Sequence, residues 1–180
     1  MVKKLIILSL LISALGCKKS KESKVEINQN NTSANRFDSK VFGFNYPEDW
    51  SVTEEEEIDD GVYYIAVEKE GFDASGLVTV LSFEELISLD ETITVNMEEL
   101  QSNSLINILN SSTIKDTNFN GVPARALDFN FSSVGIKHEG SIYAFASENN
   151  TVVVLKQEAL EDQRENAEGF NLIERSFEIR

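Results

Sequence analysis

Phe42, Phe44 and Tyr46 alternate with Gly43 and Asn45. That period of two is the pattern of a half-buried strand, and Pro47 ends it because proline cannot donate to a ladder. Trp50, the chain's single Trp, follows the turn and is expected to fold back over the sheet's apolar face. Val52 can start a return strand. Asp60-Gly61 then signals a two-residue hairpin into Val62–Val67. From Leu77 to Phe83, Leu77, Thr79, Leu81 and Phe83 share one face and Val78 and Val80 the other. A strand apolar on both faces predicts cover on both sides of its sheet.

One long mid-chain helix is expected next. Asn96 reads as its N-cap with Glu99 three residues later, and Met97, Leu100, Leu105, Ile108 and Leu109 form its apolar stripe. Asn110-Ser111-Ser112 would stop it. Asn120-Gly121 is the clearest hairpin turn. Beyond it, Leu127, Phe129 and Phe131 oppose Ala126, Asp128 and Asn130. Strands over Lys137–Ser147 and Thr151–Lys156 complete an antiparallel meander. Leu160, Ala167, Phe170, Ile173 and Phe177 mark a C-terminal helical segment that Gly169 is expected to split.

The N-terminus breaks from this alternation. Lys3 and Lys4 precede an uncharged run, Leu5–Leu15, too short for the ~20 residues that span a bilayer. It ends in Ser13-Ala14-Leu15-Gly16-Cys17, which resembles the lipobox of bacterial lipoproteins. Ala14 and Leu15 stand where the commonest form has Leu and a small residue. The resemblance implies a diacylglyceryl group on Cys17, cleavage before it and acylation of its new amino group. An ordinary signal peptide with an incidental thiol is the alternative. Two or three acyl chains would make attachment durable. Lys18 stands where an inner-membrane retention Asp would, so outer-membrane residence facing the periplasm is expected.

Residues 1–16 are thus read as signal peptide, 17–35 as lipidated cysteine and tether, and 36–180 as one domain. The tether has lysines at 18, 19, 21 and 24 and a polar Asn28–Ser33 run, too little apolar surface to fold. As a random chain it would reach about 23 Å, and about 60 Å extended.

Charge narrows the partners. From Val41 onward, 28 Asp or Glu face 8 Lys or Arg, a net of −20. No basic stripe offsets this, so no nucleic-acid partner is expected. With one Cys, no intrachain disulfide is possible. The one His, His138, has no nucleophile flagged beside it, and no phosphate-cradling or dinucleotide motif occurs. No cofactor is expected. Glu54 to Asp60 is the only cluster with ligand chemistry. Its Glu55, Glu57 and Asp59 are calcium-ligand candidates, set against a solvated hairpin tip.

The order of features, from Tyr46-Pro47-x-x-Trp50 to the closing Ser176-Phe177, resembles the PsbP-like family over residues 36–180. The resemblance implies an α+β fold, a central antiparallel sheet between helices. It also implies a non-catalytic module that binds or assembles proteins, here another envelope protein. A carboxylate-based envelope hydrolase using Asp128 and Glu139 is the alternative, reopened if those two share a cleft.

Overall fold

The computed structural model describes residues 34–72 and 74–180. The expected signal peptide, Cys17 and most of the expected tether lie outside them. The described residues form eleven strands and two helices. Eight strands make the main sheet: β3 (Trp50–Asp59), β4 (Val62–Lys69), β5 (Leu77–Phe83), β6 (Ile106–Ser111), β7 (Lys115–Phe119), β8 (Val122–Ser133), β9 (Ile136–Ser147) and β10 (Asn150–Ala159). Their order is β3-β4-β5-β10-β9-β8-β6, with β7 also on β8, and every pairing is antiparallel. A small sheet joins β1 (Ala34–Asp38), β2 (Phe42–Pro47) and β11 (Glu178–Ile179) in the order β1-β2-β11.

Each face of the main sheet buries its own core. On one face α1 (Leu89–Ser102) lays Ile93, Met97 and Leu100 against Leu81, Phe83, Leu127, Phe129, Phe131 and Ile142. On the other, the small sheet and α2 (Gln163–Ser176) cover Ile65, Val67, Val78, Val80, Phe145, Val152 and Val154. β5 therefore has the two-sided cover its alternation requires. Aromatic rings fill the seam between sheets: Phe177 stacks on Phe42 and Phe44 with centroids 5.6 and 5.7 Å apart. Trp50 is buried at 2% exposure, and its ring meets Phe170 of α2 edge-on at 5.3 Å.

Four expectations are corrected. The mid-chain helix begins seven residues earlier than Asn96. Ser88 is its N-cap, accepting from the Glu91 N–H at 3.4 Å, and Asn96 is buried inside it with Nδ2 donating to the Thr92 carbonyl. Leu105, Ile108 and Leu109 leave the helix: Ile108 and Leu109 belong to strand β6, and Leu105 precedes it. Gly169 does not split α2. It admits the Trp50 indole, since a Cβ there would lie 2.8 Å from that ring. Glu54–Asp59 is not a hairpin tip but the body of β3, an edge strand paired only with β4.

Candidate functional site

Asp128 and Glu139 do share a cleft. It measures about 510 Å³ and lies between α2 and the α2-facing side of β8, β9 and β10. Strand alternation decides its lining. Opposite the core-facing Leu127, Phe129 and Phe131, β8 turns Asp128 and Asn130 toward it. β9 supplies Glu139 and Ser141, and β10 supplies Lys156 and Glu158. Gln163, Ala167, Phe170 and Asn171 of α2 form the roof. Register sets the neighbours: Asp128 pairs with Ser141, Lys156 with Ser141, and Glu158 with Glu139.

The cleft holds two kinds of carboxylate. Asp128 is fully engaged, accepting from Lys115 Nζ at 2.6 Å and from Ser141 Oγ at 2.8 Å. Burial alone would raise its pKa. Those bonds overcome the burial and hold it below the usual carboxylate range. Lys156 is engaged too, with Nζ 2.8 Å from Glu174 and 5.0 Å from the Tyr143 ring centroid. Glu139 and Glu158 differ. They face each other across the β9–β10 ladder, a destabilising placement for like charges. Neither forms an ion pair among the described residues. Burial pushes the Glu158 carboxyl up, and Glu139 adds to the rise.

Behind Glu158 stands Asn166 of α2, fully buried. Neither atom of its amide has a hydrogen-bond partner among the described residues, nor has Glu158 Oε2. The amide lies close enough to favour the charged form of Glu158, yet without hydrogen-bond geometry. Buried polar groups are normally satisfied, and the orphaned Asn166 Nδ2 is the donor nearest in kind to Glu158 Oε2, which leaves Asn166 Oδ1 as the acceptor without one. In the cleft itself, a protonated amine or guanidinium beside Glu139 and Glu158 would relieve their repulsion.

Chemistry that turns over a substrate is harder to build here. The Ser141 hydroxyl donates to a carboxylate kept ionised by a lysine, a poor general base at neutral pH. His138 is on the opposite face of β9, stacked on Phe131 with centroids 4.7 Å apart. The calcium candidates are elsewhere, along β3. Glu55 accepts from the Tyr63 hydroxyl at 2.6 Å. Among the described residues no three His, Cys, Asp or Glu side chains converge on one point.

Glu158 and Asn166 were not singled out in the sequence. Only strand register brings Glu158 opposite Glu139, and only the helix–sheet packing buries Asn166.

No protein-family model matches this chain. No curated protein matches it either. Solved structures do. A protein from Bacteroides thetaiotaomicron aligns at TM-score 0.51 with 16% identity, over 81% of this chain and 48% of that one. The chain thus spans about half of that protein's length. Cyanobacterial PsbP (CyanoP) from Synechocystis sp. PCC 6803 aligns at TM-score 0.55 with 13% identity, over 88% of this chain and 98% of that one. The fold is PsbP-like. At such identities the PsbP-like likeness concerns architecture: antiparallel sheets with two helices, and no residue roles.

Proposed function

We propose that this PsbP-like chain is a lipid-anchored protein of the bacterial envelope, and that its domain binds, and helps assemble, another envelope protein without turning over a substrate. The observation that carries this is the cleft. Glu139 and Glu158, like charges set opposite each other on its wall, offer acceptors to a cationic group, while Ser141 and Asp128 are tied up in hydrogen bonds. A Lys or Arg side chain of the partner fits that chemistry. The net −20 of residues 41–180 would speed encounter with a basic surface and make binding salt-sensitive. The lipobox-like Ser13–Cys17 supports anchoring, and Lys18 supports the outer membrane.

The carboxylate hydrolase is the second reading, favoured by the cleft that Asp128 and Glu139 share. One experiment separates the two. A photo-crosslinker placed at Asn171, on the cleft roof, is activated in intact cells, and captured proteins are identified by mass spectrometry. A single envelope protein captured by the unsubstituted cleft, and lost with Glu139→Gln plus Glu158→Gln, supports binding. Hydrolysis of envelope esters or glycosides that vanishes with Asp128→Asn would establish the hydrolase instead.

A further inference from the structure

One end of the main sheet carries apolar side chains that neither core uses. Phe72, just past β4, is 100% exposed, and Val134 is 85% exposed. Leu105, Ile136 and Leu160 are exposed as well. These residues are neighbours. Phe72, Ile106 and Ile136 line one hollow of about 440 Å³. Ile106 pairs with Ser133, and Ser133 with Ile136, so Leu105 and Val134 flank the same turn. The Leu160 N–H donates to the Lys137 carbonyl at 2.9 Å.

The backbone at Val134 is the telling part. Val134 and Gly135 turn β8 into β9 with φ of +50° and +85°. Asn120 and Gly121 make the β7–β8 turn with nearly the same values, +46° and +87°. Asn-Gly is the pair such a turn favours. A β-branched residue in the left-handed region is strained, and strain of this kind persists at functional positions. Folding gains nothing from this exposed valine, and solubility is worse for it.

The chain also enters the domain at this end. Ala34 pairs with Pro47, and two residues on, the Asp49 carbonyl accepts from the Glu70 N–H at 2.7 Å, two residues from Phe72. A tether joining at this end leaves the rim within reach of the membrane, at ~23 Å for a flexible chain of that length.

We propose that the rim of Phe72, Leu105, Val134, Ile136 and Leu160 seats on the phospholipid bilayer, its side chains entering the headgroup boundary. This rests on the lipoprotein reading above. Single apolar side chains on separate loops suit a lipid surface, which needs no shape complementarity. Glu70, Glu161 and Asp162 border the rim against Lys137 and His138. That balance favours zwitterionic over anionic headgroups.

The test uses the acylated protein in phosphatidylcholine vesicles, with and without bromines on the upper acyl chain. The indole introduced by Phe72→Trp should be quenched in brominated vesicles, since interfacial side chains reach about 5–10 Å deep. Trp50, buried in the core, should not be quenched in the unsubstituted protein. Adding Val134→Asn should raise the melting temperature, because Asn suits the turn, and yet reduce the quenching. The anchor is scored separately by acyl labelling at Cys17. An acylated protein whose indole emits equally in both vesicles overturns the rim and leaves the anchor standing. A protein with no acyl label overturns the lipoprotein reading, and the rim with it.

Discussion

The indole of Trp50 occupies the space a side chain at Gly169 would need. A Cβ on Gly169 would sit 2.8 Å from two ring carbons, and one on Gly76 would meet the same ring at 2.8 Å. Two glycines from opposite layers thus form the slot that docks α2 on the sheet. Ala in mid-helix normally gains ~1 kcal/mol over Gly. At position 169 the sign should reverse, because overpacking costs roughly 1–3 kcal/mol. Trp50→Ala should cost about 3–5 kcal/mol, a large part of the 5–15 kcal/mol a domain usually has. Urea melts would measure both. A Gly169→Ala protein more stable than its parent would show that α2 shifts freely on the sheet.

The cleft should give stability an unusual pH dependence. Glu158 has its folded pKa raised by burial above the ordinary value of 4.5. The folded state therefore holds its proton longer, and stability falls as pH rises through that window. Asp128 works the other way. Its folded pKa is lowered, so its contribution is present above the ordinary 3.8 and is lost as pH falls through the folded value. Glu158→Gln should accordingly stabilise the protein at pH 7 and make little difference near pH 4. An equal effect at both pH values would mean that the Glu158 carboxyl is solvated.

Much of the architecture was legible from alternation alone. Val78 and Val80 against Leu81 and Phe83 foretold two cores, one on each face. The helix was misplaced because apolar residues at Met97 and Leu100 continue without a break into Leu105 and Ile108, so one stripe spans two elements. The correct start was written as Ser88-x-x-Glu91, a capping-box pattern. Half of the cleft was also legible, as Asp128 and Glu139. Glu158 was not, because which strand lies beside β9, and in what register, is a long-range fact that local pattern does not carry.

Membrane attachment gives a direct chemical test. Cys17→Ser should remove incorporation of a clickable fatty acid and leave the precursor uncleaved before position 17. Unchanged labelling in that variant would place the lipid elsewhere.

The acidic strand makes the last prediction. β3 is an edge of the main sheet, with only β4 beside it, and edges invite pairing with other chains. Glu54–Glu57 line this one. Burial raises the Glu54 pKa, with Glu56 and Glu68 adding to the rise, so the cluster already bears like-charge strain. A second copy pairing edge to edge would double that repulsion. Glu54→Val with Glu56→Val should remove this protection and raise the β propensity of the strand beyond Val52. Sedimentation should then show concentration-dependent self-association that the parent lacks. Calcium offers the competing account of the same residues. If the run protects the edge, micromolar calcium leaves the melting temperature unchanged. A rise of several degrees, abolished by substituting Glu55, Glu57 and Asp59, would make the strand a cation site instead.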